Sequence, residues 1–145
     1  KRDYGAAFHL YVQSAAKGNM DAEVALGLMY EKGKVPNSDK KLNMKNAAAH
    51  FSKAAKQKHS IGTFHAARLF EKVNKHDNAY ALYKKSADLG YAEALYSLGE
   101  LVEKGLVKNV KKGEALGFYK QAEEKGIVRA SSAILRFEEN NKKSA

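Results

Sequence analysis

Two serines stand three residues before a lysine, Ser14 with Lys17 and Ser38 with Lys41. That is the spacing of a Ser-x-x-Lys nucleophile, in which the lysine would take the hydroxyl proton. The companion strings Ser-Asp-Asn and Lys-Thr-Gly occur nowhere in the chain, and the first pair falls in a repeated helical stretch, the second in a charged loop. Both are therefore read as ordinary surface residues. The five histidines, His9, His50, His59, His65 and His76, form no His-Glu-x-x-His string and no i, i+4 pair with one another, so they offer no helical metal site. There is no cysteine, which removes a thiolate ligand, a cysteine nucleophile and a disulfide framework together. No glycine-rich phosphate loop is present either. The expectation is a chain that is not an enzyme and holds no metal or cofactor.

Without chemistry to position, the elements themselves become the question. The chain has 145 residues, 44% hydrophobic and 29% charged, with one proline. This is ordinary globular usage and excludes a proline-rich linker or a turn-dense β-protein. One domain over 1–145 is expected. No apolar run approaches the roughly 20 residues that span a bilayer. The sequence starts at Lys1 rather than at Met, so it is read as a piece of a longer protein.

Internal repetition decides the architecture. The aromatics Tyr11, Phe51, Tyr83 and Tyr119 lie 40, 32 and 36 residues apart. Four residues before them stand Ala7, Ala47, Ala79 and Ala115; seven after come Gly18, Lys58, Gly90 and Gly126; sixteen after come Gly27, Ala67, Gly99 and Leu135. Around the first anchor, Ala7, Tyr11, Ser14 and Ala15 follow helical spacing, small residues beside an aromatic, so a neighbouring helix can approach closely. The glycine after each stripe suits a left-handed helix end. The reading is all-α, with helices near 3–17, 20–32, 43–57, 60–73, 77–89, 92–104, 112–125 and 128–140, grouped as pairs over 3–33, 43–73, 77–105 and 112–140.

Such pairs cannot bury their apolar faces alone and must stack into an α/α solenoid with one continuous core. The run from Phe8 to Gly18, followed by Ala22 to Gly33, resembles the Sel-one-like repeat, a relative of the tetratricopeptide repeat, and Ala81 to Gly90 with Ala94 to Gly105 repeats it. The resemblance implies a right-handed superhelix of about four helix-turn-helix units, working as a scaffold or adaptor. It also implies a concave surface formed by 20–32, 60–73, 92–104 and 128–140. Copy two departs from the pattern at Lys58, at Ala66-Ala67 and in its short connection to the next helix. Copy four departs at Leu135 and Glu138, as suits a terminal helix with one face in solvent.

Residues on those helices outside the small/aromatic pattern are the partner-binding candidates: Val24 and Leu28; Phe64, His65 and Arg68; Tyr96, Ser97 and Glu100; Ser132 and Arg136. Equivalent offsets predict that Phe64 and Tyr96 form an aromatic pair beside an Arg68–Glu100 charge pair. The net charge of +10 raises a second reading, a basic docking module for an acidic protein, an anionic membrane or nucleic acid. Only Arg2, Arg68, Arg129 and Arg136 are arginines, however, and the lysines are scattered, which disfavours base recognition. The expected partner is a protein or peptide.

Overall fold

The computed structural model describes residues 3–144. Eight helices follow one another: α1 Tyr4–Ala16, α2 Met20–Glu31, α3 Asn43–Lys56, α4 Ser60–Lys72, α5 His76–Asp88, α6 Glu93–Glu103, α7 Glu114–Glu124 and α8 Val128–Ser144. No strand occurs among the described residues.

The ends of these helices come from local chemistry. Asp3 and Asn19 cap α1 and α2 by accepting from the N–H groups of Ala6 and Ala22. At α4 a histidine does the same work: His59 Nδ1 accepts from Gly62 N–H at 3.0 Å, while its Nε2 lies 2.6 Å from Asp21 on α2. Accepting at Nδ1 leaves the imidazole proton on Nε2, so one ring both starts α4 and ties it to α2. At the other end of each odd helix the chain turns through a residue of positive φ, at Gly18, Lys58, Gly90 and Gly126. The next N–H then reaches back five residues, as from Asn19 to Ser14 and from His59 to Ala54. Copy two thus keeps the turn despite its lysine. Lys58 holds φ 57°, which costs an L-residue roughly 1–2 kcal/mol relative to glycine. Lys58→Gly is expected to raise the urea midpoint, with a gain of about 1 kcal/mol once the glycine's greater unfolded-state freedom is counted; a drop would show the lysine stem to be packed.

Contacts are most extensive within α2–α3, α4–α5 and α6–α7, one helix out of step with the pairs framed by the aromatic anchors. Each anchor explains why. Phe51 and Tyr119 are buried against the even helix that precedes them, over Gly27 and Gly99, and Tyr83 is buried in one cluster with Ala67, the residue at the equivalent position. Tyr11 follows no such helix among the described residues and is 39% exposed. The buried residues form three clusters rather than one continuous core. The larger two divide at α4, where Ala66 and Leu69 face one cluster and Ala67 the other, and Leu82 packs against both.

One carboxylate lies inside the α2–α3 junction. Glu23 is 2% exposed and receives His50 Nδ1 at 2.7 Å and Lys53 Nζ at 2.8 Å. Burial alone would push its carboxyl up, but the hydrogen bonds from Lys53 and His50 outweigh it and hold the group lower and ionised. The His50 ring in turn stacks on Tyr30 at 5.4 Å.

Candidate interaction surface on the even helices

A second set of carboxylates recurs on the even helices, twenty residues after each anchor: Glu31, Glu71, Glu103 and Glu139. The first three receive groups from the copy that follows. Tyr83 donates its hydroxyl to Glu71, and Tyr119 to Glu103, each at 2.6 Å. Burial and the neighbouring carboxylate push both phenols up, so they stay protonated donors. Phe51 has no hydroxyl, which leaves both oxygens of Glu31 to Arg68. The guanidinium binds it as a fork at 2.5 and 2.6 Å, with Lys72 Nζ adding a third contact at 2.5 Å. Arg68's hydrogen bonds dominate, burial opposes them, and Lys72 assists; together they hold the Glu31 carboxyl down at about 2. Arg136 reaches back to Glu103 in the same direction but with a single contact, at 2.8 Å, to the oxygen that also accepts from Tyr119.

Seventeen residues after the anchors the series runs Leu28, Arg68, Glu100, Arg136. Arg68 and Arg136 each neutralise the glutamate of the preceding copy. The middle rung has no arginine, because Glu100 stands there, on the same side as Glu71. Glu100 is half-buried and makes no hydrogen bond or ion pair with another side chain among the described residues. Burial pushes its carboxyl up; Lys104 pulls it down, and the charge of Glu71 raises it again.

The expected pairs are arranged differently. Phe64 packs on Tyr83 and Tyr91 of the next copy, at 5.6 and 4.9 Å, and Tyr96 packs on Tyr119 at 5.7 Å. The two rings each serve the anchor ahead of them, so the predicted Phe64–Tyr96 pair does not form. Val24 shares that offset and is buried in the cluster around Phe51, which closes it to a partner. Leu28 packs partly against the same cluster. Arg68 meets Glu31 rather than Glu100, because its side chain reaches back to α2, the preceding even helix. His65 stacks on Phe51 at 5.1 Å and accepts from Arg68 Nε at 3.3 Å. Burial and the Arg68 charge lower it to about 4, so it is a neutral acceptor that positions the arginine. Ser97 lies beside the Tyr83 hydroxyl, Ser132 is exposed, and Arg129 covers the outer face of Tyr96 at 4.6 Å.

The carboxylates of the rungs escape a search for departures from the repeat because they are part of it; their recurrence at one offset was the signal. Among the described residues no group of His, Asp or Glu side chains is arranged to hold a metal ion, and no helix is long and apolar enough to cross a membrane.

The Sel1 repeat matches residues 1–19, 21–59, 66–91 and 92–127; the last three of these frames begin at the even helices α2, α4 and α6 and follow the tighter helix pairs. The chain belongs to the Sel1 repeat family. Two solved structures are similar over 92% of its length. One is a Sel1 repeat protein from Oxalobacter formigenes, at 26% identity and a TM-score of 0.79. The other is a protective antigen of uropathogenic Escherichia coli strains displaying an SLR fold, at 27% identity and a TM-score of 0.77. The chain spans 55% of the first and 29% of the second. Sel1 repeats form a helical repeat fold generally used for protein interaction.

Proposed function

We propose that this Sel1 repeat chain holds a partner polypeptide on the surface of its even helices, and that a cationic side chain of the partner enters the middle rung. The observation carrying this reading is the pair Glu71 and Glu100, two carboxylates with no ion pair among the described residues, Glu71 taking only the Tyr83 hydroxyl. Its neighbours above and below are closed by Arg68 on Glu31 and Arg136 on Glu103. Lys104, Arg129 and Arg136 act on Glu100 only through space, and a partner arginine or lysine would supply the direct ion pair, with Ser97 and the edge of Tyr96 alongside. The chain then acts as a scaffold and performs no chemistry.

The test is Glu100→Arg, which writes the absent arginine into the chain itself. Cross-linked capture from a lysate should lose at least nine-tenths of the partner signal with E100R. It should keep the signal with Lys84→Glu on the exposed side of α5, and E100R should melt at or above the parent. Unchanged capture by E100R would remove the middle rung from the binding surface. The basic-module reading makes a different prediction, because displacing counterions from phosphates costs about 10³–10⁵ in affinity between 50 and 200 mM salt. A complex seated on one charge and its apolar surroundings should weaken only a few-fold over that range.

A further inference from the structure

The connections between copies differ in what they bury. Val35, in the α2–α3 connection, and Val107, in the α6–α7 connection, both lie twenty-four residues after their anchors, and both are 8% exposed. Each long connection folds back on the odd helix of its own copy. Pro36 comes to the first turn of α1 beside Gly5, and Lys108 N–H donates to Asp77 on α5 at 3.1 Å. Val107 thereby joins the core cluster around Tyr83 and Tyr119, and Val35 is buried at the matching position.

Copy two has no such buried valine. Its connection from α4 to α5 is only Val73–Lys75, too short to fold back, and the residue at the valine's position is the exposed Lys75. The same copy is short of a second side chain. Three residues before the anchors stand Phe8, Tyr80 and Leu116 in the other copies, and Ala48 here. The two deficits coincide in a groove of about 240 Å³ between α3 and α4, lined by Met44, Lys45, Ala48, Leu69, Phe70 and Val73 among others. At its mouth Met44 and Val73 are 41% and 57% exposed. Pockets for drug-sized ligands run to roughly 300–1,000 Å³, so this one suits a side chain.

We propose that the groove seats an aliphatic, valine-like side chain from an extended acidic segment of a partner protein, which supplies in trans what the two long connections supply in cis. The charge at the rim sets the acidic character. Asp77 fixes the backbone of the Val107 connection, and the residue at the corresponding position in copy two is Lys45, six before the anchor. A lysine there meets a carboxylate instead of an N–H, so the segment carries Asp or Glu next to its aliphatic residue. The groove involves none of the residues of the Glu71–Glu100 rung, and either surface can fail without the other.

The probe is a capped synthetic peptide with the sequence of Gly105–Val110 carrying K108D, titrated into the ¹⁵N-labelled chain. Expected shifts are confined to the backbone around Met44, Ala48, Leu69, Phe70 and Val73, with sub-millimolar affinity. A peptide that also carries V107S should lose at least tenfold, and the protein variant Ala48→Phe, which restores the ring present in copy one, should abolish the shifts. Val73→Asp, at an exposed position, provides a second block should Ala48→Phe fold poorly. The proposal is overturned by shifts spread over the lysine surface, by binding that survives both blocking variants, or by concentration-dependent shifts at the groove without peptide. The last result would make a second copy of the chain its occupant.

Discussion

Gly99→Val is expected to lower stability by about 3 kcal/mol through overpacking, with the melting temperature falling by roughly 6–12 °C for a chain of this size. A Cβ at Gly99 would lie 2.4 Å from Cε1 of Tyr119, and one at Gly27 would lie 2.4 Å from Cε1 of Phe51. Both rings are 0% exposed and have nowhere to withdraw. Alanine should be tolerated better, because copy two has Ala67 at the equivalent position, buried in one cluster with its own anchor Tyr83; Gly99→Ala is expected to cost less than half as much. Gly117 supplies the opposite sign: nothing lies within 4 Å of a Cβ there, so Gly117→Ala should gain up to about 1 kcal/mol of helix propensity. A Gly99→Val chain melting with the parent would refute the seating of anchors on small residues.

Acid should unfold the chain in two stages that share Arg68. His65 is lowered from 6.5 to about 4, so as pH falls the unfolded chain takes the proton first, and stability drains away between pH 6.5 and 4. Glu31 is held at about 2 against 4.5; its contribution is complete above pH 4.5 and is lost as pH falls towards 2. Each amounts to about 2 kcal/mol once the water reaching Arg68 and Lys72 is allowed for. Urea midpoints at pH 7, 5.5, 4 and 3 should therefore fall throughout. His65→Phe should flatten the upper stage alone. Arg68→Met should cost about 3 kcal/mol at pH 7, by leaving the buried Glu31 to Lys72, and should flatten the lower stage. A parent midpoint that is level from pH 7 to 4, or an R68M profile parallel to the parent's, would count against this account.

Helix boundaries were legible because caps and left-handed ends are written in single residues such as Asn19 and Gly90. Lys58 looked like a departure, yet the turn survives, since the surrounding hydrogen bonds impose the left-handed φ on whatever residue is there. Side-chain direction was the harder part. Val24, Phe64 and Tyr96 share one offset, and their types alone do not say whether they face a partner or the next anchor; the stacking of copies decides it. The Arg68–Glu31 bridge was missed for a related reason, since offset arithmetic assumes that equivalent residues meet, whereas the arginine spans seventeen against twenty. The groove in copy two was half visible in Ala48 and in the short connection, but only packing brings those two absences to one place.

Because Gly27, Ala67 and Gly99 are each followed one turn later by a glutamate, each of the first three copies offers its successor the same socket. Removing one whole copy in frame would bring Tyr83 onto Gly27 and Glu31, a junction with the chemistry Tyr119 already uses on Gly99 and Glu103. An array built this way can gain or lose copies by duplication and deletion without any new interface having to evolve. Its length can drift, and with it the span of whatever it holds.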